Sequence, residues 1–314
     1  MIELDNSIKL KAGNEMVEIE KVAYKGWSNC LKISNKLIEL IVLTDVGPRI
    51  IHLSFKGGEN LFYENKEDAG QTGGDKWRTY GGHRLWHAPE DIVRTYVPDN
   101  FPVQVDLLKD GARFTAPIES NGIQKIVEIH LSETEAKVKV NHTMINHDVW
   151  PIPLAMWALT VMKAGGKVIA PHSPKISHDE KLLPSHTLTL WGFTKMDDPR
   201  WIWGDKYYSL KQDSSFDSCQ KIGSLNTFGW AAYQFGDEVF IKKFGYNPLA
   251  TYPDMNCNFE TYTDQNMLEV ETLGPVVQLE PGQRTEHLEE WSLHKGIQHS
   301  TTDAEIDKNI LPLV

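Results

Sequence analysis

Leu268-Glu269-Val270-Glu271-Thr272-Leu273 alternates apolar and acidic side chains, the period-two signature of a strand with one face turned to a core. Leu268 and Val270 share one face, so Glu269 and Glu271 share the other. Just upstream, Asn256-Cys257-Asn258-Phe259-Glu260-Thr261-Tyr262 alternates in the same way, with Asn256, Asn258, Glu260 and Tyr262 on one side. Asp264-Gln265-Asn266 between the two reads as a turn. Paired as a hairpin, the two segments put three carboxylates, two amides and a phenol on one face. That face is either a binding surface or an ordinary solvated sheet face.

Working outward, the same alternation recurs at Leu37–Val42, Arg49–Phe55, Ala112–Ile118, Lys125–Leu131, Ala136–Met144, Leu154–Met162, Val239–Phe244 and Thr285–Leu293. Tight-turn dipeptides separate them: Gly57-Gly58, Asp110-Gly111, Asn121-Gly122, Gly236-Asp237 and Pro281-Gly282. So many strands with so few helical periods predict an all-β, antiparallel chain and exclude a doubly wound or barrel α/β fold. No Gly-x-Gly-x-x-Gly and no Walker-type loop is present, so no nucleotide cofactor is expected. With no repeat or linker, residues 1–314 read as one domain. Thr302-Asp303-Ala304-Glu305 carries an N-cap signature that predicts a short helix over 302–310. The stretch from Ala170 to Asp217, rich in Pro, His, Ser and Asp, reads as long loops decorating a sheet.

A net charge of −11 argues against nucleic acid and anionic membrane surfaces as partners. Met1-Ile2-Glu3-Leu4-Asp5 lacks the basic start of a signal peptide, and Cys30, Cys219 and Cys257 are odd in number and far apart. A reducing cytoplasm without disulfides is expected. The cysteines and histidines show no metal-ligand spacing, so no metal is expected either.

Gly81-Gly82-His83-Arg84-Leu85-Trp86-His87-Ala88-Pro89-Glu90 concentrates the chemistry. A flat aromatic, a bidentate cation and titratable imidazoles suit the holding of a sugar and the moving of protons around it. The bland alternative is a turn whose His and Arg side chains satisfy buried carbonyls. Trp157, in Met156-Trp157-Ala158-Leu159, reads as a cavity wall or as core. Asp197-Asp198-Pro199-Arg200-Trp201-Ile202-Trp203-Gly204-Asp205-Lys206-Tyr207 mixes acids, bases and aromatics as a lid would, which brings in Trp203 and Asp205. Lys243 falls on the face of Val239 and Ile241, where a lone ammonium either snorkels to the edge or meets a glutamate.

Three further pieces give the chain its resemblance to the galactose mutarotase-like superfamily. Leu43-Thr44-Asp45-Val46-Gly47-Pro48-Arg49 followed by Ile50-Ile51-His52-Leu53 resembles that superfamily's early strand. Val140-Asn141-His142-Thr143-Met144-Ile145-Asn146 leading to Pro153 is similar to its central strand pair. Leu279-Glu280-Pro281-Gly282-Gln283, then Trp291-Ser292-Leu293, resembles its Leu-x-Pro-Gly-Glu turn and closing strand. The likeness spans about residues 37–295. The Gly-Gly-His-Arg-Leu-Trp and Glu-Thr-Leu-Gly-Pro elements look like a bacterial branch apart from the well-studied epimerases.

The resemblance implies an antiparallel β-supersandwich that binds a small carbohydrate. It also implies an aldose 1-epimerase-type reaction in which a glutamate takes the anomeric proton and a histidine protonates the ring oxygen. Glu271 matches the glutamate's place best and Glu260 is the other candidate; Arg84 is the counterpart of the sugar-binding arginine. Where mutarotases carry His-x-Tyr-Phe, this chain has Met156-Trp157-Ala158-Leu159, so the acid is expected to be His83 or His87. Trp86, Glu269, Asn258, Trp157, Trp203, Asp205 and Lys243 complete the expected substrate contacts. A non-catalytic sugar-binding or sensing protein is the alternative, and a glycoside hydrolase or lyase using the clustered carboxylates is a third.

Overall fold

The computed structural model describes residues 17–314; the N-terminal segment read above for targeting lies outside them. The strands run β1 (Glu18–Tyr24), β2 (Trp27–Ser34), β3 (Ile38–Leu43), β4 (Arg49–Phe55), β5 (His83–Ala88), β6 (Gln104–Leu107) and β7 (Gly111–Thr115). There follow β8 (Ile123–Leu131), β9 (Lys137–Asn146), β10 (Ile152–Met162), β11 (Lys167–Pro171), β12 (Leu188–Leu190), β13 (Trp201–Trp203) and β14 (Tyr207–Lys211). The last are β15 (Gln220–Ser224), β16 (Trp230–Phe235), β17 (Glu238–Phe244), β18 (Phe259–Thr263), β19 (Leu268–Leu273), β20 (Val277–Leu279) and β21 (Arg284–His294). Two short helices, α1 (Pro253–Asn256) and α2 (Asp303–Asn309), complete the framework.

The strands form two antiparallel sheets. The larger is ordered β1-β2-β3-β4-β5-β10-β19-β18-β15-β12, with β20 on the flank of β10; the other runs β13-β14-β11-β16-β17-β21-β9-β8-β7-β6. Alternation sorts each strand into two faces. The faces turned toward the partner sheet carry Phe114, Ile222, Tyr233, Phe240, Leu268, Val270 and Trp291, all buried in one apolar cluster that Phe62 joins from the segment between β4 and β5. The outer face of the smaller sheet is covered by α2, whose Ile306 packs with Ile310 on Ile169, Ala232, Val239 and Ile241. Thr302 caps that helix through the Glu305 amide while Glu305 reaches back, a reciprocal pair that satisfies two helix-end donors.

Each alternating stretch read from the sequence maps onto a strand, Ala112–Ile118 running three residues past the end of β7, and the hairpin forms with Glu260 opposite Glu271 and Tyr262 opposite Glu269. The middle stretch is mostly irregular, as its composition suggests, but it is interrupted by short strands. Ala170–Asp217 holds β12, β13 and β14, strands of three to five residues fixed by their neighbours rather than by a period of their own. The stretch Gly81–Glu90 is not simply a turn, because its β5 runs between β4 and β10 in the heart of the larger sheet.

The glycine pair is what lets the chain enter there. Gly82 sits at φ +68°, and a Cβ on it would come within 2.2 Å of the Ile50 carbonyl oxygen. Both the backbone angle and the space exclude a side chain. Gly82→Ala is therefore expected to destabilise the protein by at least about 1–3 kcal/mol, read as a lowered thermal midpoint. An unchanged midpoint would mean that this crossing tolerates a shift of β4.

Candidate functional site

Because β5, β10, β19, β18 and β15 are neighbours, their outward-facing residues form one continuous surface on the side away from the smaller sheet. Arg84 and Trp86 come from β5, and Trp157 and Leu159 from β10. Glu269 and Glu271 come from β19, Glu260 from β18, and Lys221 from β15. The register sets Arg84 opposite Leu159, Leu159 opposite Glu271, and Glu271 opposite Glu260. Gly223 stands opposite Glu260, and a Cβ there would press on Cys257 and on the Glu260 side chain, so this position keeps the carboxylate's place open.

Five charged groups are buried on this face. The Lys221 ammonium lies 2.8 Å from Glu260 Oε2 and 3.0 Å from Glu271 Oε2, over the rings of Trp157 and Trp191 at 4.7 Å each. The Trp157 indole N–H donates to Glu271 Oε2 at 2.8 Å. The Arg84 guanidinium lies 4.2 Å from the Trp86 ring centre and 5.3 Å from that of Trp77, with Nη2 3.4 Å from Glu269 Oε1. Trp77, Trp86 and Tyr96 pack around it, Trp77 edge to face with Tyr96 and the other two pairs tilted. Arg84 is only 4% exposed, and Glu260 and Glu271 are 0% exposed.

Several polar atoms here have no partner: Arg84 Nε and Nη1, Glu260 Oε1, Glu271 Oε1 and Trp77 Nε1. Buried polar groups are normally satisfied, so such a concentration marks a place where ligand or ordered water completes the bonding. Burial also sets the protonation. It drives the Glu269 carboxyl up to about 7, with the charge of Glu271 adding to the effect and Arg84 opposing it. It drives Glu260 up to about 8 against the pull of Lys221. Two carboxyls are thus poised near neutrality, where a group can both give and take a proton.

The structure therefore gathers Glu271, Glu260, Glu269, Arg84, Trp86 and Trp157 on one face. The remaining expected site residues lie elsewhere. His83 and His87 alternate with Arg84 and Trp86, and so project from the opposite face of β5 into the space between the sheets. Burial holds His87 down to about 3, helped by the charges of Lys125 and Arg94, and pushes His83 well below its ordinary value. Neither imidazole can serve as an acid on the face that carries Glu271.

Asn258 precedes β18 and hydrogen-bonds the backbone of Asn226 through both amide atoms, fixing a turn. The strand starts only at Phe259 because Asp254, Met255 and Asn256 take left-handed backbone angles. Trp203 and Asp205 belong to the smaller sheet and the turn after β13, where Asp205 pairs with Lys175. Arg200, held in a bidentate pair by Asp198, anchors that segment, which is not a lid over Glu271. Lys243 is exposed near the end of β17; the neighbouring Lys242 is the buried one.

Sequence reading missed Lys221, Trp191 and the placement of Trp77 and Tyr96. The alternation of Gln220-Lys221-Ile222-Gly223-Ser224 carried a signal for Lys221, since Ile222 marks the core face and leaves Lys221 on the other.

His83 belongs instead to an inter-sheet network. His142 Nδ1 donates to the His287 carbonyl at 2.9 Å, so its Nε2 accepts from His83 Nε2 at 2.7 Å. His83 Nδ1 then accepts from the Thr160 hydroxyl at 2.9 Å. The Lys242 ammonium reaches Thr160, the Ala158 and Val270 carbonyls, and Glu289. Among the described residues, His83, His142 and Glu289 can bring three ligand atoms within 4.8 Å of one another. The two imidazoles are bonded to each other, to Thr160 and to the His287 carbonyl, and Glu289 is paired with Lys242. No helix among the described residues is long and apolar enough to cross a membrane.

No protein-family model matches the chain, and no curated protein matches it in sequence. Solved structures do match. A TPR-domain containing protein from Parabacteroides distasonis superposes with a TM-score of 0.57 at 13% identity, over 93% of this chain and 50% of that one, so the chain spans half of that protein's length. A Klebsiella pneumoniae protein provisionally named an aldose 1-epimerase gives 0.56 at 13% identity, over 95% of this chain and 87% of that one. A galactose mutarotase-like protein from Lactobacillus casei gives 0.52 at 13% identity, over 85% of this chain and all (100%) of that one. At such identities the likeness lies in the architecture: the chain has the galactose mutarotase-like β-sandwich fold.

Proposed function

We propose that the chain is a carbohydrate-active isomerase of the aldose 1-epimerase type, interconverting the anomers of a sugar on the outer face of the larger sheet. The observation that carries this reading is the set of five buried charges walled by indoles, with unpartnered carboxylate and guanidinium atoms among them. The aromatic rings suit the C–H faces of a sugar, and the free polar atoms suit its hydroxyls. Names given to two of the fold's relatives point the same way.

The chemistry follows from the carboxylates. Glu271, oriented through Oε2 by Trp157 and Lys221, has Oε1 free to take the proton of the anomeric hydroxyl. Glu269 stands on the same face two residues along the strand, roughly 6.6 Å away along the backbone. With its carboxyl raised to about 7 it is partly protonated at neutral pH and can deliver a proton to the ring oxygen. Ring opening, rotation and closure then give the other anomer. Glu269 thereby takes the part that His83 or His87 was expected to play. A role in sugar binding without turnover is the reading that the turned-away histidines favour, and the same measurement separates the two.

That measurement is exchange NMR of α and β anomer signals with purified protein and a panel of aldoses and sugar acids. Accelerated exchange supports the isomerase; saturation transfer to bound sugar without exchange supports the binder. The pH profile tests the acid. Glu269 loses its proton as pH rises through about 7, so kcat/KM is expected to decline above that point. A rate that instead rises through this range would make the raised carboxyl the base.

A further inference from the structure

We infer that the ligand of this face carries a carboxylate that docks on Arg84, which makes it an aldose with an oxidised terminal carbon, a uronic acid. This deepens the sugar reading above and rests on it. Arg84 stands apart from the other deeply buried arginines. Arg49 donates to Asp99 at 2.6 Å and to two carbonyls at 3.0 Å. Arg200 holds Asp198 with two bonds of 2.9 Å and the Ser218 carbonyl at 2.8 Å. Arg84 has a single hydrogen-bond contact, 3.4 Å to Glu269, far longer than the ~2.7–2.9 Å of a charge-assisted bond. Two of its nitrogens, Nε and Nη1, are buried with no acceptor, whereas Arg49 and Arg200 each leave one, Nε and Nη1 respectively.

Leaving a guanidinium in this state is costly, and an arriving carboxylate is the acceptor whose shape and charge match it. A neutral hydroxyl would satisfy one N–H and leave the charge uncompensated. A phosphate dianion would bring two negative charges to a face that already holds three carboxylates, while Lys221 is engaged by Glu260 and Glu271. A carboxylate adds only one. The clamp of Trp86 and Trp77 fixes the guanidinium plane, so the carboxylate end of the ligand would be oriented as well as bound. Because the proposed reaction needs a hemiacetal, an aldonic acid, which has none, does not qualify. Glu269, released from Arg84 by the incoming carboxylate, would then hold its proton more firmly, as the acid role requires.

The test compares D-glucuronate and D-galacturonate with D-glucose, D-galactose and D-glucose 6-phosphate, at constant ionic strength. Affinity is read by titration calorimetry and turnover by anomer exchange. In the wild-type protein the uronates are expected to bind at least about tenfold more tightly than the parent aldoses and than the phosphate. Arg84→Gln should cut uronate affinity about 10- to 100-fold and collapse that preference; the wild-type comparison stands whether or not this variant folds. Equal affinity for uronate and aldose, or a preference for the phosphate, would overturn the inference. Anomer exchange of neutral aldoses alone would overturn it while leaving the isomerase intact. Tight uronate binding without exchange would uphold the carboxylate and remove the isomerase, and binding of no sugar would overturn both.

Discussion

Glu271→Gln is expected to abolish accelerated anomer exchange while sugar binding persists. The amide oxygen can still accept from the Trp157 indole and the Lys221 ammonium, which now meet Glu271 Oε2 at 2.8 and 3.0 Å. The side chain therefore keeps its position, and the strand pairing around it is untouched. What changes is the atom that now has no partner, Oε1, which becomes an NH2 group that can donate but cannot remove a proton. Loss of a positioned general base costs typically about 10²–10⁴-fold. The effect should fall on kcat, with affinity for sugar changed far less. Loss of binding in step with turnover would make Glu271 a ligand contact or a structural prop instead. Unchanged exchange would move the base to Glu260, whose Oε1 is also free.

The hairpin that carries these two glutamates was legible because alternation is a local property. Once Leu268 and Val270 are assigned to the core, Glu269 and Glu271 have only one place to go, and Glu260 follows through the turn. Arg84 and Trp86 were legible as chemistry but not as geometry. His83-Arg84-Leu85-Trp86-His87-Ala88 has polar groups on both of its alternate faces, so no apolar side announces the core. Its outline as a strand comes from non-local pairing with Met156, Trp157 and Ala158, which a local reading cannot supply. The consequence was to assign His83 to the site, although its period-two relation to Arg84 forbids both from sharing one face. Lys243 fell to a related confusion. Val239 and Ile241 are buried by α2 and not by the partner sheet, so the same face becomes exposed one step beyond the helix. Trp203 and Asp205 were placed by composition alone, and composition does not say which sheet a segment joins.

The same strands that present the site are tied from behind by Lys242, and removing that ammonium should be the most destabilising single change in the inter-sheet network. Its donors reach the Ala158 and Val270 carbonyls, between Trp157 and Leu159 and between Glu269 and Glu271, as well as Glu289 at 2.9 Å. Lys242→Met would leave Glu289 fully buried with only neutral hydrogen-bond partners close by, the Thr272 hydroxyl and the Trp291 indole, and the His287 imidazole 3.8 Å away. An uncompensated buried charge of this kind costs about 3–5 kcal/mol. Lys242→Met with Glu289→Gln removes both charges and should recover part of that loss, so the double variant is expected to be more stable than the single. The pH dependence gives the sign independently. Burial alone would raise the Glu289 carboxyl; Lys242 and the hydrogen bond of His287 outweigh it and hold the group well below the usual carboxylate range. In the wild-type protein this group thus contributes stability above the unfolded-state pKa of about 4.3, lost as pH falls below it. Without Lys242 the folded-state pKa rises above the unfolded one, and the contribution reverses: stability is kept at low pH and lost as pH climbs. Urea unfolding of Lys242→Met at pH 5 and pH 8 should therefore show the greater loss at pH 8. A loss that is equal at both would mean that Glu289 finds another cation, and a double variant weaker than the single would mean that its hydrogen bonds, rather than its charge, hold the sheets together.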